Sequence, residues 1–372
     1  MKILYLTNFG LPNARIEKSV ITALKNGHEV IFAGRESKNY QNILFSRMYQ
    51  ISWNAKARFG IPYYYHVVKK QIKKVIEEVR PDIIHAHTLF PAKMIDDFEI
   101  PFIYDDNEHW AKYAQLINEI TKSKDSKSKL GRWLTKQMKK RAIHLWPKWE
   151  KEVISKHPTI TVSELIANDL KKIGNTKNIF LVPNFPLEEE IKNVPFPKLN
   201  KEINSVYQGR DGNSIDIYPH KNMEGIENIF LENDIGNLVF IGWNAENRKK
   251  IFFKGQFPRE KMFIEMSKYD IGLLPWKKHW SHPYVNPNKY ADYAHSGLLV
   301  INTSSLETIS NTLDGKNETI EDYNDLIKIT KHYKENINDL YKKRIELFNF
   351  AKRNLLWEKY EKNILNAYQK CS

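Results

Sequence analysis

A group of polar residues in the last third of the chain has the types and spacing to bind a phosphorylated ligand. Asn286 is a preferred N-cap residue, and the free N–H groups in the first turn of a helix that follows it attract an anion such as a diphosphate. Asn288 and Asp292 are four residues apart and share one helical face, where the carboxylate could accept hydrogen bonds from a ribose diol and Lys289 could contact phosphate. The alternative is an ordinary capped helix with a solvated polar face.

The elements around these residues predict a ligand-binding edge of a sheet. Pro287 suits the first helical position and Gly297 supplies a left-handed stop, so the predicted helix spans 287–296. The apolar runs at 270–275 and 298–301 predict buried strands on either side of a polar loop and this helix. In a parallel sheet, such a loop and helix N-terminus lie at the carboxyl ends of the strands, where ligands bind.

The same segment is similar to a known family motif. NPNKYADYAHSGLLVI, which begins at Asn286, resembles the S/N-P-N-K-x-x-E-Y-x-x-x-G-x-P-V-I segment of retaining GT-B glycosyltransferases of family GT4. The family's acidic residue holds the nucleotide ribose, so the resemblance assigns that role to Asp292 and places Asn288 and Lys289 at the nucleotide-sugar donor. The other glutamate of the family's E-x7-E motif would fall on Tyr284, so that half of the motif is absent.

A glycine turn and two basic residues complete the donor side that the resemblance implies. In the family, a glycine turn after the first strand of the second domain lies under the donor diphosphate, which places Gly209 there. A nearby basic residue neutralises the diphosphate; Arg210 is the first candidate and Lys254 the second, and an arginine fork suits phosphate well. Arg210, Lys289 and the helix dipole would stabilise the charge that develops on the leaving diphosphate, which is the main catalytic demand.

The first part of the chain predicts a βαβ opening with a second set of candidate residues. Predicted strands at 1–7 and 29–33 enclose a loop with Gly10 and a helix at 15–26, but no G-x-G-x-x-G fingerprint is present. The run N-A-R-I-E-K followed by G-H-E-V is similar to the family's D-x-R-V-x-K and G-H-E-V. This implies that Arg15 faces an interdomain cleft on the acceptor side, with Gly10. The alternative for Arg15 is a surface arginine in a first helical turn.

Two further motifs fall at predicted strand ends. The pattern P-D-I-I-H-A-H ends at His87 and recurs in the family at a strand end that faces the cleft; no third ligand with suitable spacing accompanies its histidines, so a metal site is not expected. The segment Y-D-D-N-E-H-W resembles the family's Y-D-x-H-E-x-W, but Asn107 occupies the histidine position and His109 lies two residues later. Either His109 substitutes, or Asn107 serves as a neutral hydrogen-bond donor, or the site is altered. With Glu108, these residues would face the sugar or the acceptor as catalytic groups.

The resemblance extends along nearly the whole chain of 372 residues and implies an α/β architecture of the GT-B type. Two Rossmann-like doubly wound domains would face each other across a cleft, with a C-terminal helix crossing back to the N-terminal domain. The expected acceptor-binding domain covers 1–186 with 352–372, and the expected nucleotide-sugar-binding domain covers 200–350. Regular alternation of predicted strands and helices in the second half supports a doubly wound sheet on its own.

The charge of the chain predicts an anionic partner without identifying it. Lys+Arg 58 against Asp+Glu 44 leaves a net charge of +14, and the run 121–141 contains nine basic residues and one acid. Tryptophans at helical spacing accompany it, so the segment 121–149 predicts contact with an anionic membrane surface; the alternative is a helix that packs one face on its own domain. Aromatic and basic residues also interleave at 45–65, where they could line an acceptor site, touch a membrane interface or pack inward.

Several classes of protein are disfavoured. We find no helix-turn-helix, zinc or RNP signature of nucleic-acid binding, no apolar run near the roughly 20 residues of a membrane span, and no signal-peptide pattern at the first residues. The single cysteine, Cys371, can form no internal disulfide. A cytoplasmic protein, peripherally attached to the inner face of the cell membrane, fits these observations.

The resemblance implies a retaining hexosyltransferase that needs no metal or other cofactor. It would move a sugar from a UDP- or GDP-sugar to a glycan or a polyprenyl- or dolichyl-phosphate-linked acceptor in cell-surface glycan biosynthesis. Two alternatives remain: a sugar-nucleotide 2-epimerase of the same fold, and a catalytically inactive, membrane-associated binding protein derived from it. A product that depends on a nucleotide sugar separates the enzymes from the binding protein.

Overall fold

The structure is a computed structural model that describes residues 1–37, 40–120, 129–209 and 218–371. The chain divides into two compact units. The first unit comprises Met1–Asn184 together with Tyr360–Ser372, and the second comprises Phe185–Lys359. Each unit is built on a parallel sheet of its own.

The first unit alternates strands and helices along the chain. Its strands are β1 (Lys2–Thr7), β2 (Glu29–Gly34), β3 (Arg47–Gln50), β4 (Ile83–His87), β5 (Phe102–Asp106), β6 (Thr159–Thr161) and β7 (Ile179–Leu181). Its helices are α1 (Ala14–Lys25), α2 (Pro62–Val79), α3 (Leu89–Ile95), α4 (Trp110–Glu119), α5 (Lys129–Lys156) and α6 (Glu164–Gly174). The strands pair in parallel in the order β3-β2-β1-β4-β5-β6-β7. The order reverses between β1 and β4, and doubly wound folds bind ligands beside the carboxyl strand ends at such a point.

The second unit repeats this architecture. Its strands are β8 (Asn204–Gln208), β9 (Asn237–Ile241), β10 (Ile251–Phe253), β11 (Ile271–Leu274), β12 (Leu299–Thr303) and β13 (Glu318–Ile320). Its helices are α7 (Glu188–Ile191), α8 (Ile226–Glu232), α9 (Arg259–Met266), α10 (Lys289–His295), α11 (Glu307–Thr312), α12 (Tyr323–Glu335) and α13 (Ile337–Asn354). The parallel order is β10-β9-β8-β11-β12-β13, with the reversal between β8 and β11.

The last helix of the chain, α14 (Glu361–Cys371), belongs to the first unit. The Tyr368 hydroxyl lies 2.8 Å from the Tyr5 hydroxyl on β1, and the Asn363 side chain donates a 2.8 Å hydrogen bond to the carbonyl of Leu181 on β7. The prediction that the C-terminal helix returns to the N-terminal domain is therefore confirmed. Among the described residues, none of the helices is long and apolar enough to cross a membrane.

The helix predicted at 287–296 is shorter than the sequence indicates. It begins at Lys289, and Asn288 precedes it in a helical backbone conformation without a side-chain cap. Asn286 is therefore not the N-cap: a 3-10 turn at His282–Tyr284 is followed by Val285 in an extended conformation, and the helix begins only at Lys289. The predicted stop is confirmed: Gly297 has φ +75, and an added Cβ there would lie 2.5 Å from Pro197 Cγ.

A buried arginine fixes α13 to the second sheet. Arg344 donates to the Asp270 carboxylate at 2.6 Å, to the carbonyl of Gly297 at 2.8 Å and to the carbonyl of Tyr269 at 3.0 Å. Asp270 immediately precedes β11 and Gly297 follows α10, so this arginine ties together the elements that flank the long 275–288 loop. Such a fully hydrogen-bonded buried pair is strongly destabilising to break, because its partner is left as an uncompensated charge.

Candidate functional site

The carboxyl ends of β8 and β11 carry an aromatic pair beside a lysine. Tyr207 lies on β8 and Trp276 follows β11, and the Trp276 indole N–H donates a 3.3 Å hydrogen bond to the Tyr207 hydroxyl. Lys289, the first residue of α10, places its Nζ 5.8 Å from the centroid of each of these two rings. The three side chains therefore meet at the switch point of the second sheet, where a doubly wound fold binds its ligand.

A second lysine converges on the same tryptophan. Lys221 Nζ lies 5.8 Å from the Trp276 ring centroid and 5.1 Å from that of Tyr218. Burial, and then the charge of Lys221, lower the pKa of Lys289 to about 7. Within the described ranges no carboxylate forms an ion pair with Lys289. The region around Trp276 therefore has the electrostatic character of an anion-binding site. Lys221 and Lys289 repel each other there, and a bound anion would reduce that repulsion.

Two histidines beside these lysines, His220 and His282, are neutral at physiological pH. The two ring nitrogens of His282 lie 2.8 Å from the His220 carbonyl and 2.7 Å from the Ser305 hydroxyl, which fixes the ring. Burial lowers the pKa of His282 to about 4 and that of His220 to about 3. His220 and His282 therefore add no positive charge to that of the lysines. In the part of the chain that the structure describes, no cluster of three or more histidine, cysteine, aspartate or glutamate residues could hold a metal ion.

Asp292, the residue expected to hold a ribose, is buried against an arginine. Arg259 donates to both of its carboxylate oxygens, at 2.9 and 2.8 Å, and its Nε donates to Glu190 at 2.8 Å. A carboxylate offers about four acceptor positions, so a bidentate arginine leaves room for further donors. The ribose role of Asp292 stays a prediction, and the structure adds that Arg259 holds the carboxylate in place.

The other predicted donor residues lie at different distances from this centre. Gly209 follows β8, and an added Cβ there would lie 2.8 Å from the Tyr207 ring, so a side chain would disturb the aromatic pair. Arg210 lies outside the described residues. Lys254 is exposed and follows β10, two strands from β8 and so about 10 Å away. Asn288 is exposed and Asn286 half-buried in the approach to α10.

Arg15 on the first unit is one half of a buried ion pair. It is 5% exposed and contacts Asp105, at the end of β5, through Nη2 at 2.7 Å and Nε at 2.9 Å. Its Nη1 donates to the Val182 carbonyl at 2.9 Å and to the Asn184 side chain at 2.6 Å. The alternative of a surface arginine is therefore wrong, and Arg15 connects α1 with the end of β5 and the segment after β7.

Both histidines of β4 contact the same carboxylate. His85 Nε2 lies 3.3 Å and His87 Nδ1 lies 3.2 Å from Asp105 Oδ2, because residues two apart on a strand share one face. On its other side His85 lies 2.8 Å from the Tyr368 hydroxyl of α14. Although burial opposes ionisation, Arg15 and the two histidines hold the pKa of Asp105 well below its usual range. His87 thus lies at the carboxyl end of β4, where it shares Asp105 with Arg15, and its acceptor-side role stays a prediction.

The histidine of the predicted catalytic trio is already engaged. His109 is buried, with Nε2 2.7 Å from Asp169 and Nδ1 3.4 Å from Glu150. Glu150 also accepts the N–H groups of Trp110 and Ala111 at 2.6 and 3.0 Å, and so caps α4. Burial lowers the pKa of His109, but Glu150 and Asp169 outweigh it and raise the pKa overall. This geometry favours a structural role for His109.

Asn107 and Glu108 remain the more accessible members of that trio. Asn107 is half-buried and Glu108 is exposed, between β5 and α4 at the carboxyl edge of the first sheet. Gly10 lies at the same edge after β1, where an added Cβ would be 2.6 Å from the Glu36 carbonyl oxygen. The close passage of that backbone explains why glycine occupies this position, and the catalytic and acceptor roles of these residues stay predictions.

Comparison with known proteins identifies the fold. No protein-family model matches the chain, and no curated protein matches it in sequence. Over all of this chain and 99% of the other, it superposes on a sucrose-phosphate synthase from Thermosynechococcus elongatus with a TM-score of 0.72 and 11% identity. The Anabaena protein HepE in complex with UDP superposes with a TM-score of 0.66 and 10% sequence identity, over 100% of both chains. WaaG, a glycosyltransferase involved in lipopolysaccharide biosynthesis, superposes with a TM-score of 0.64 and 13% sequence identity, over 97% of this chain and 99% of WaaG. The chain has the GT-B fold.

This GT-B chain also resembles a protein of another activity. A Listeria monocytogenes protein assigned as a UDP-N-acetylglucosamine 2-epimerase matches with a TM-score of 0.52 and 10% identity, over 92% of this chain and 91% of that one. The fold alone does not separate transfer from epimerisation, since one fold supports many activities. The geometry of the GT-B chain's own residues therefore carries the functional argument.

Sequence reasoning missed three residues that build these sites. Lys221 lies in a short 3-10 turn after the segment 210–217, and no periodicity or motif singles it out. Arg259 contacts Asp292, which lies 33 positions away in the sequence, and Glu150 contacts Trp110, which lies 40 positions away. The only signal in the sequence was their charge next to predicted helices, which many surface residues share.

Proposed function

We propose that this chain is a retaining glycosyltransferase that moves a sugar from a UDP- or GDP-sugar to an anionic or lipid-linked glycan acceptor. The observation that carries the proposal is the convergence of Lys289 and Lys221 on Trp276 at the switch point of the second sheet. Two adjacent cations beside aromatic rings suit a diphosphate next to a nucleotide. HepE structures that contain UDP and UDP-glucose are among the structural neighbours, which supports this ligand class.

The catalytic contribution of this site is electrostatic. When the bond between the sugar and the diphosphate breaks, negative charge grows on the leaving oxygens, and fixed cations stabilise that charge in a partly desolvated place. Lys289 is oriented by α10, and its neighbours Tyr207 and Trp276 exclude water from one side. Asp292, held by Arg259, would orient the ribose. No metal ion or other cofactor is needed for these roles.

The acceptor would be recognised by the first unit, and a basic helix would bring that unit to an anionic membrane surface. Residues 121–128 of the predicted contact segment lie outside the described residues. In the following helix α5, Trp133 is 55% and Leu134 is 46% exposed, near the exposed basic residues Arg132 and Lys136. Apolar and basic side chains side by side are typical of an interfacial helix. We accordingly place the protein at the cytoplasmic face of the membrane.

A vesicle experiment tests this surface. Lys136 and Lys140 are exposed on α5, so changing both to glutamate should abolish salt-sensitive binding to anionic vesicles. Lys139 is left unchanged, because its Nζ donates a 2.7 Å hydrogen bond to the Ile120 carbonyl at the end of α4. The matched control changes Lys148 and Lys151 in the other half of the helix, with the same change of charge. Equal binding by both variants would remove the membrane proposal.

A donor panel tests the transferase itself. The purified protein is incubated with UDP- and GDP-sugars, and release of nucleoside diphosphate is measured together with thermal stabilisation. We expect one donor to react, with the reaction lost in Lys289→Gln and in Asp292→Asn, and retained in Arg47→Gln on the amino edge of the first sheet. Asp292→Asn is preferred to alanine because it keeps the shape that packs against Arg259. Failure of every donor to bind or react would refute the proposal.

The second candidate is a sugar-nucleotide 2-epimerase, favoured only by the structural neighbour assigned to that activity. An epimerase inverts the configuration at carbon 2 of the sugar in UDP-N-acetylglucosamine. It needs no acceptor and returns a nucleotide sugar as its product. Proton NMR of the donor after incubation without acceptor distinguishes the two, because a changed 2-position signal appears only with epimerisation. The third alternative, an inactive binding protein, predicts nucleotide-sugar binding with neither product.

A further inference from the structure

Arg58 is a half-buried arginine without a carboxylate partner among the described residues. Its Nε is buried and meets no hydrogen-bond acceptor, and its guanidinium carbon lies 5.1 Å from the centroid of the Phe90 ring. Burial lowers the pKa of Arg58, the neighbouring Tyr113 side chain raises it, and the positive charge of Arg35 lowers it. The charge of Arg35 therefore adds to the uncompensated positive charge of Arg58.

The other arginines in the described ranges that are not exposed all have acidic partners. The pairs are Arg15 with Asp105, Arg259 with Asp292 and Arg344 with Asp270. A buried charge without a partner costs free energy, which proteins normally avoid by pairing it. Arg58 departs from this rule, and an anionic ligand would supply the missing partner.

The position of Arg58 is that of a ligand site. It lies in the 3-10 turn Ala55–Phe59, between β3 and α2. Phe90 lies at the start of α3, after β4; Tyr113 lies on α4, after β5; and Arg35 directly follows β2. The connections after four strands thus meet at one place on the carboxyl edge of the first sheet, where doubly wound units bind ligands.

The backbone around Arg58 is fixed before any ligand binds. The Trp146 indole N–H donates a 2.9 Å hydrogen bond to the Arg58 carbonyl, and Arg141 donates a 2.8 Å bond to the Phe59 carbonyl. Gly60 follows with φ +64, and an added Cβ there would lie 2.9 Å from Leu145 of α5. A preorganised guanidinium loses little conformational entropy on binding, which favours affinity.

We propose that Arg58, assisted by Arg35, binds a phosphate group carried by the acceptor. The guanidinium fork matches two phosphate oxygens, and the Phe90 ring beneath it limits hydration of the charge. This inference rests on the proposed transferase function. It specifies that the acceptor is a phosphate ester or a diphosphate ester. A soluble sugar phosphate and a lipid-linked phosphate present the same chemistry to Arg58.

The test follows phosphate binding at Arg58 directly. The probe is methyl phosphate, titrated into the full chain carrying Lys289→Gln so that the donor site contributes little. The readout is the NMR signal of the arginine Nε–H groups, with the Arg58 signal identified by its loss in Arg58→Lys. A second arm presents farnesyl phosphate in neutral vesicles. Binding in solution indicates a soluble acceptor, and binding only on vesicles indicates a lipid-linked one; each supports the phosphate site.

We expect the Arg58 signal to shift on titration and the affinity for the probe to fall at least tenfold in Arg58→Gln. Arg35→Gln, which alters an exposed side chain, should weaken binding several-fold and serves if Arg58→Gln fails to fold. Arg47→Gln is the matched control at the amino edge of the same sheet and should bind as the parent does. No Arg58-dependent shift with either probe, or equal weakening in Arg47→Gln, overturns the inference.

This result is separable from the proposed transferase function. Donor binding is measured on the otherwise unaltered chain and on Arg58→Gln with the nucleotide sugars of the donor panel. If no nucleotide sugar binds while Arg58 still binds methyl phosphate, the transferase proposal fails and the phosphate site stands. If nucleotide sugars bind equally to both chains and methyl phosphate causes no shift of the Arg58 signal, the phosphate-site proposal is refuted and the transferase proposal is not.

Discussion

Nucleotide-sugar affinity should fall as pH rises through 7, because Lys289 must be protonated to hold the diphosphate. Burial and Lys221 lower its pKa to about 7 in the free protein. A bound diphosphate favours the ammonium form and moves the pKa back toward the ordinary value of about 10.4. The complex then binds more protons than the free protein. The affinity for the nucleotide sugar is therefore highest below pH 7 and falls as the pH rises above 7.

The magnitude follows from the difference between the two pKa values. A full return to about 10.4 would couple protonation to binding by roughly 4 to 5 kcal/mol, at 1.36 kcal/mol per pKa unit. Lys289 is only partly buried as a residue, so water screens part of this coupling and we expect about 2 kcal/mol. The dissociation constant should therefore be nearly constant below about pH 6.5 and rise about tenfold between pH 7 and 8.5.

Isothermal titration calorimetry with the donor identified by the panel measures this dependence. A nucleotide sugar is preferred to a free nucleoside diphosphate, because its diphosphate lacks the terminal group that titrates near neutrality. Repeating the titration in buffers of different ionisation enthalpy measures proton uptake directly. Lys289→Gln should bind about 10- to 100-fold more weakly at pH 6.5, since a hydrogen bond to a charged group contributes roughly 1.5–3 kcal/mol. Its affinity should then hardly depend on pH.

Two results would refute this reasoning. One is a dissociation constant for the unaltered chain that does not change from pH 6.5 to 8.5. The other is the same slope in Lys289→Gln, which would assign the titration to another group. His279 is the neighbour to check with His279→Gln, because burial keeps His220 and His282 neutral throughout this range.

Three further predictions concern stability, measured by urea unfolding. Arg344→Met should destabilise the second unit by about 3–5 kcal/mol, since it leaves Asp270 buried without a counter-charge; if adding Asp270→Leu recovers none of this loss, the ion pair is not its cause. Tyr368→Phe should cost about 1–3 kcal/mol, because its hydroxyl contacts both His85 and the Tyr5 hydroxyl, and an unchanged midpoint would show that water replaces it. Gly297→Ala should cost at least about 1 kcal/mol because φ is +75 there, whereas a neutral result would mean that the turn relaxes.

The local pattern of the sequence was enough to predict the alternation of strands and helices, and the fold class followed from the family resemblance. The runs at 270–275 and 298–301 correspond to β11 and β12, and Ser163 caps α6 by accepting the Ile166 N–H at 3.3 Å. These features depend on neighbours a few residues away, so they can be recognised along the chain. The inward packing expected, as one alternative, for the aromatic residues at 45–65 is confirmed for most of them: Trp53, Phe59 and Tyr65 pack against the core of the first unit. Tyr63, by contrast, is 73% exposed.

A start signal at a helix N-terminus proved less reliable than the stop. Asn286 and Pro287 have the residue types of an N-cap and a first helical position, yet α10 begins at Lys289. The 3-10 turn before them and the extended conformation of Val285 delay the start of the helix, whereas the left-handed conformation of Gly297 is a local property of glycine itself. The shift matters for function, because it makes Lys289 the first residue of the helix.

The sequence by itself determined the alternation of strands and helices and the set of polar residues at strand ends, and its resemblance to a known family implied the GT-B fold. Only the tertiary structure decided which charges meet: Arg259 with Asp292, Lys221 beside Lys289, and Arg58 with no acid among the residues that the structure describes. The reason is physical. Helix and strand periods are short-range and leave a regular trace in the sequence, whereas charge pairing depends on residues that the order of the strands brings together from distant parts of the chain.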